Sequence, residues 1–425
     1  MGCRSEISAG FLETLRFQVQ PDGIQSSSAA GGSTNSVPRL LILPPRRLSP
    51  LVDTPDQQIA RSLVTDVTIS LCSSRLYEVI APYSAMKLTG GSVGDVALRS
   101  DYVLETDVVL NQTSLPFAQL MIEVVATATG QRVFRSEVEL RSGLLQTIHN
   151  RLCEVLAEKI CGAIGVHELQ QFRLTGAASA YVHYLIALQR ADRTDLSSLL
   201  LAQKSLVRSV RLSPDFAPAL AQLARTKTLE WLERGSEDRT LLHEAQHLAR
   251  RAHSYGPNDS ASLREIGHAA LYLHDLKSAW DHFEAAADLA PNHADLLVDQ
   301  ADALTHLSRH DEAEARITRA LALNPYAPDD YYWIAGAVSF FRGEYRQALT
   351  RLSAMETPGL ALRLMAACAA MLKDTELASF YRLQALARDP TFTIEKWTSL
   401  YPSPNPDDTA RYLNALALAG FPRGI

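Results

Sequence analysis

A chain of 425 residues is too long for one ordinary domain and has room for two or three. Hydrophobic residues make up 47% and charged residues 21%, a globular balance that excludes a wholly disordered chain. The formal net charge of −6 gives no general attraction to nucleic acid or anionic membrane, so any such contact would need a local basic patch.

The first residues, MGCRSEISAG, lack the apolar stretch of a secretory signal, and Glu6 stands where a myristoylation signal wants Ser or Thr. No uninterrupted apolar run approaches the roughly 18 residues needed to span a bilayer, so a cytoplasmic location is expected. Residues 22 to 38 are rich in Ser and Gly, and with residues 1 to 21 they are expected to form a disordered N-terminal segment and linker.

From Arg39 the run RLLILPP predicts a strand stopped by prolines. Ile59, Leu63, Val67 and Leu71 then recur every four residues and predict an amphipathic helix. Further strands are predicted at 76 to 82, 101 to 110, 117 to 128 and 132 to 140, the last two joined by a turn at Thr129-Gly130. A long helix is predicted from about Gly143 to Ile164, which completes an α+β module over residues 39 to 170.

Beyond Gln170 the pattern is almost wholly helical and repeats. Pro257, Pro291 and Pro325 are 34 residues apart, the tetratricopeptide period. Each closes a second helix carrying alanines at fixed offsets, with a larger apolar residue between them in two of the three: Ala245, Ala249 and Ala252, then Ala279, Phe283 and Ala286, then Ala313, Ile317 and Ala320. Pro214 lies 43 residues before Pro257, an excess of nine that predicts a longer helix or turn around TLEWLERGSEDR. Gly336 with Ala348, and Ala378 with Ala385 and Pro390, predict two more units. Residues 171 to 392 thus read as an all-α solenoid of tetratricopeptide type, and 393 to 425 as a C-terminal cap with a helix near Thr409 to Ala419.

Residues 39 to about 170, through RLLILPP, DVALRSDYVLETDVVL and MIEVVATATGQRVFRSEVEL, resemble the TolB-like module that precedes tetratricopeptide repeats in bacterial transcriptional regulators and class III adenylate cyclases. The segments AYVHYLIALQR and KSLVRSVRLSPDFAPALAQLA resemble the first repeat of those proteins. That module usually has a glycine where Glu105-Thr106-Asp107 stands here. Neither a winged-helix DNA-binding domain nor a cyclase domain is recognisable. The resemblance therefore implies a regulatory or signalling role with the output on another chain, or an inactive remnant of a longer regulator.

Several constellations could carry chemistry. HEAQHLARRAH, residues 243 to 253, contains HExxH, so His243 and His247 share a helix face and could hold zinc with Glu244 as general base of a metallopeptidase. Against this, Arg250 replaces the glycine that turns a metzincin chain, and His253 lies about 120° around a continuing helix from His247. The repeat phase explains the segment as a second helix. His306 and His310 are also four apart, near a predicted inter-helix turn where solvated side chains are expected. GGSVGD, residues 90 to 95, matches neither glycine-rich phosphate motif. Cys3, Cys72, Cys153, Cys161 and Cys368 are scattered without CxxC spacing and read as buried small hydrophobes. His149 and Cys153 lie four apart on the long helix and read as one packed and one half-exposed residue.

The expectation is a non-catalytic protein with no cofactor and no metal, binding a protein or peptide through the first helices of its repeats. The phase places Arg264, His268 and Tyr272 from one unit, Asp302 and His306 from the next, and Trp333 and Phe340 from the third on that groove. Aromatics and Arg dominate interface energetics. Trp333 and Phe340 have a second reading as inter-repeat core, because YYWIAGAVSFF is apolar on every face. Neither nucleic acid nor membrane is expected as a partner.

Overall fold

The computed structural model describes residues 37–43, 45, 55–80, 100–111, 117–140, 142–191, 195–235, 238–359 and 361–424. The N-terminal segment up to 36, Cys3 and the glycine-rich stretch at 90 to 95 lie outside the described residues, as does the side chain of His149. The chain divides into two compact units, Met1–Leu185 with Arg211–Pro214, and Ile186–Val210 with Asp215–Ile425. The fold is mainly helical. Among the described residues no helix is long and apolar enough to cross a membrane.

The first unit holds a five-stranded sheet of order β2-β1-β3-β4-β5. Strand β1 (Arg39–Ile42) pairs in parallel with β2 (Glu78–Ile80) and β3 (Tyr102–Asn111). Strands β3, β4 (Phe117–Ala126) and β5 (Arg132–Glu139) form an antiparallel meander. The last hairpin turns at Gly130, whose φ of 68° suits a residue without Cβ. Period-2 alternation buries Leu120, Ile122 and Val124 on one face. On the other, Glu123 stands opposite Arg135 and pairs with it at 3.4 Å.

Helix α1 (Pro55–Ser74) buries Leu63, Val67 and Leu71, as its four-residue spacing predicts, whereas Cys72, expected to be buried, falls off that stripe and is exposed. Helix α2 (Ser142–Thr175) continues eleven residues past the predicted end at Ile164, because the apolar face of Leu152, Leu156, Ile160 and Ile164 extends to the buried His167. There the Tyr102 Oη lies 2.7 Å from His167 Nδ1 and donates to Glu168 Oε1 at 2.7 Å.

Helices α3 (Ala180–Ala191) and α4 (Leu196–Leu212) straddle the division between the units. The second unit then stacks five helix pairs: α5 (Ala217–Arg234) with α6 (Thr240–Tyr255), α7 (Ser260–Tyr272) with α8 (Leu276–Leu289), and α9 (Ala294–His306) with α10 (His310–Leu323). The pairs α11 (Asp329–Phe341) with α12 (Tyr345–Leu352) and α13 (Leu362–Met371) with α14 (Thr375–Arg388) complete the array. The excess of nine residues is spread over the 18-residue α5, the 16-residue α6 and the connection between them. This is a repeat region of tetratricopeptide type, read from its period and its paired helices.

The second helices bury narrow stripes. Ala245, Ala249, Ala279, Phe283, Ala286, Ala313, Ile317 and Ala320 are all fully buried. The first helices are buried almost all round, α7 from Ser262 through Tyr272 and α9 from Leu296 through His306, because each lies between its own partner and the neighbouring pairs. Small residues permit the approach: a Cβ on Gly267 would meet the Phe283 ring at 2.9 Å, and one on Gly336 would collide with Leu352.

Asp259, Asp275 and Asp374 cap helix N-termini by accepting backbone N–H bonds. The turn inside each of the last four pairs carries one left-handed residue, His274, Ser308, Gly343 or Lys373, with φ between 60° and 80°. Beyond α14 the chain forms a short helix, α15 (Ile394–Leu400), inside a stretch that the sequence assigns to the cap without a helix of its own. It ends with α16 (Pro406–Leu418), which buries Tyr412, Ala415 and Leu416 against the last pairs.

Candidate binding face of the first helices

The inner face of the array carries charge deep inside it. Arg264 of α7 donates from Nε to Asp299 Oδ2 of α9 at 2.5 Å, and its Nη1 lies 3.4 Å from Asp295 Oδ2. Arg225 of α5 reaches the same Asp299 oxygen at 3.4 Å, Glu265 Oε1 at 3.6 Å, and Asp330 Oδ2 of α11 at 3.5 Å. One guanidinium thus spans three successive first helices beyond its own. Burial works against the Asp299 carboxylate, but Arg264 and Arg225 outweigh it and hold it below the usual carboxylate range. Glu265, whose Oε2 has no hydrogen-bond partner, is pushed by burial up to about 7.

A second layer lies one turn further along the helices. Tyr272 Oη donates to Asp302 Oδ2 at 2.9 Å, and His306 Nε2 is 3.5 Å from Asp302 Oδ1. His268 and His306 meet the Tyr272 ring edge-on, and Trp231 tilts against it at 5.7 Å. Burial pushes Asp302 up to about 7 and both histidines down to about 3, so the imidazoles are neutral at neutral pH.

The chain's own C-terminal segment covers this layer. Leu400 packs with Trp231, Leu232 and Tyr272, and its carbonyl accepts from His274 Nε2 at 3.3 Å. The Tyr401 ring lies 4.9 Å from that of His306 and stacks on Phe341. Asp408 Oδ2 accepts from Ser308 Oγ at 2.5 Å and lies 2.9 Å from His310 Nε2.

The structure brings Arg264, His268, Tyr272, Asp302 and His306 onto one face, yet all five are buried rather than open to solvent. Arg264 is held by Asp299 and Asp295, whereas Tyr272, Asp302 and His306 hold one another and His306 also meets Tyr401 of the C-terminal segment. His306 and His310, expected as solvated turn residues, are instead held by Tyr401 and Asp408. Phe340 is not on this face: it is fully buried in a core with Phe341, Tyr345 and Tyr412, on the apolar C-terminal part of α11. Trp333 is partly buried and packs against three core clusters.

Sequence reasoning missed Arg225, Asp299, Trp231 and Tyr401. Asp299 stands 35 residues after Arg264, close to one period, which is the signal that could have paired them. Arg225 is put out of register by the longer first pair.

His243, Glu244 and His247 are exposed on α6, with Ala245 and Ala249 turned inward. Glu244 is paired with Lys227 at 3.0 Å, and His253 Nδ1 lies 3.4 Å from Ser262 Oγ. Among the described residues no three His, Cys, Asp or Glu side chains converge as a metal site would require.

No protein-family model matches the chain, and no curated protein matches it. Solved structures with a similar arrangement include a tetratricopeptide-repeat protein of Thermus thermophilus, with 18% identity, 56% of this chain and 99% of that one covered, and a TM-score of 0.35. The pilF protein of Pseudomonas aeruginosa has 17% identity over 50% of this chain and 93% of its own, with a TM-score of 0.35. A tetratricopeptide-repeat protein of Parabacteroides merdae has 15% identity over 55% and 99%, with a TM-score of 0.33.

Proposed function

We propose that the chain is a non-catalytic binding protein whose repeat array takes a peptide segment of a partner protein on the inner face of its first helices. The observation that carries this reading is the face's existing occupant, a stretch of polypeptide. Trp397, Leu400 and Tyr401 of the same chain lie against Trp231, Tyr272, His306 and Phe341, and a backbone carbonyl is read by His274. A partner bearing a similar pairing of Leu with aromatic residues would compete for the same contacts, with aromatic anchors supplying most of the energy.

In its finer form the proposal places the protein in the cytoplasm of a bacterium, as an arm of a transcriptional or signalling circuit whose output lies on another chain. That form rests on the resemblance of residues 39 to 170 to the TolB-like module and is an argument by analogy.

The test is fluorescence anisotropy with a labelled peptide of residues 393 to 405 added to the full chain. The expected result is saturable binding to a Leu400→Ala, Tyr401→Ala double variant and much weaker binding to the unaltered protein, whose own segment holds the face. Absence of binding to a double variant with native circular dichroism would remove the peptide reading.

A further inference from the structure

Helix α14 carries two large apolar side chains in the middle of its exposed side. Phe380 and Leu383 are 57% and 60% exposed, and with the exposed Glu376 and Ala387 they follow the 4-3-4 spacing of a coiled-coil seam. The Phe380 ring meets Tyr381 edge-on at 5.4 Å, and Tyr381 itself packs on the core. Single exposed apolar residues are ordinary on a protein surface, but these two are set apart by the other pairs. Aligning the buried Ala378 and Ala385 with the alanines seven apart in α6, α8 and α10 puts His247, Asp281 and Ala315 at the position of Phe380. Arg250, Glu284 and Thr318 then stand at that of Leu383, and all six are exposed. The same stripe thus holds no large apolar side chain in three pairs and two of them in the fifth.

The seam is self-complementary. Positions 376, 380, 383 and 387 are symmetric about the midpoint between Tyr381 and Arg382. A second α14 laid antiparallel across a two-fold axis therefore sets Phe380 against Leu383 of the second copy, and Glu376 against Ala387 with Arg388 beside it. Charge agrees with that direction, since Glu376 lies in the first turn of α14 and Arg388 in the last. Glu376 is exposed and among the described residues makes no ion pair. Arg388 is 44% exposed at its side chain and uses one nitrogen on Glu233 at 2.9 Å, which leaves guanidinium donors for a second carboxylate. A parallel pair would set Glu376 against Glu376 and align the helix dipoles, both unfavourable.

We propose that this face of α14 is a docking surface for a second copy of the chain, paired antiparallel through Phe380 and Leu383 and oriented by Glu376 and Arg388. A different partner would need no symmetry in the seam, and the symmetry favours self-pairing. The 14-residue helix is about 21 Å long, and one such pair covers less than the ~1,200 Å² below which interfaces are transient. The dimer therefore forms in the micromolar-to-millimolar range and separates on dilution. Its contacts lie on a second helix, so the proposal does not rest on peptide binding by the first helices.

Sedimentation velocity of the full chain over roughly a hundredfold range of concentration, into the submillimolar range, reads the association. The expected result is a monomer when dilute and a mass rising toward twice that value as concentration increases. Phe380→Ser with Leu383→Ser, at exposed positions outside the core, should weaken the association roughly tenfold or more. Direction is read by mild oxidation: a mixture of Glu376→Cys chains and Ala387→Cys chains should crosslink well above either variant alone and above the unaltered chain with its own cysteines. Three results would each overturn the proposal. They are a monomer at every concentration, association unchanged by the double substitution in a chain with native circular dichroism, and a mixture that crosslinks no better than Glu376→Cys or Ala387→Cys by itself. The first would leave the seam to a different partner.

Discussion

Replacing Arg264 by Ala tests whether the inner charges hold the array together or await a partner. Arg264 and Asp299 are 9% and 7% exposed at their side chains and 2.5 Å apart. Removing the guanidinium leaves the buried Asp299 and Glu265 with Arg225, which already lies 3.4 Å from Asp299 and 3.6 Å from Glu265. Breaking a buried ion pair by deleting one partner costs about 3–5 kcal/mol, because the other charge is stranded. Against a typical stability of about 5–15 kcal/mol, that is a large fraction. Urea unfolding of the full chain, followed by far-ultraviolet circular dichroism, should show the midpoint fall accordingly. The pairwise change Arg264→Met with Asp299→Leu should recover most of the loss, since an apolar replacement of both partners is often neutral or better. A cost below about 1 kcal/mol for Arg264→Ala would put the pair in the range of solvated surface bridges. The face would then be open to a partner, as the repeat phase alone implies, and the reasoning from burial would fail.

Two further outcomes can be checked in the same apparatus. Asp302→Asn should change the pH dependence of stability. Burial raises the folded carboxyl to about 7, above its unfolded value, so its contribution is fully present below about pH 4 and is lost as pH rises through about 7. The Asn variant lacks that loss, and relative to the unaltered protein it should gain on the order of a few kcal/mol between pH 4 and 8; parallel stability curves would refute this. Lys373→Gly should stabilise the chain by about 0.5–1 kcal/mol, because Lys373 is exposed and holds a φ of 64° that glycine adopts without a Cβ penalty. An unchanged or lower urea midpoint would show that the turn does not need the left-handed backbone.

The repeats were legible because their signals are local. Pro257, Pro291 and Pro325 end helices by chemistry that operates within one turn, and the alanines of each second helix mark a buried stripe through spacing alone. What lies opposite a face is not local. Arg264, Glu265, His268, Asp299 and Asp302 carry the polarity of a solvent-facing side, and periodicity groups them correctly. Only the stacking of α5, α7, α9 and α11 shows that charges one and more periods apart neutralise one another. In the first unit the same limit appears in α2, whose apolar face ran past Ile164 to a polar cluster of Tyr102, His167 and Glu168 formed across 65 residues.

The C-terminal segment was the least legible part, and it bears most on the proposed peptide binding. A seven-residue helix is too short for periodicity to detect, and Leu400 finds His274 across 126 residues. Its return onto the inner face changes how partner affinity is to be read. A tethered segment competes at an effective concentration near the millimolar range, whatever the concentration of the protein. Held in place by about 2.7 kcal/mol, it would leave the face open about 1% of the time, and an incoming peptide would bind about 100-fold more weakly than its contacts allow. If the proposed binding holds, substitutions at Leu400 and Tyr401 would therefore report on it by release, whereas substitutions at Arg264 and Tyr272 remove contacts on which the array itself depends.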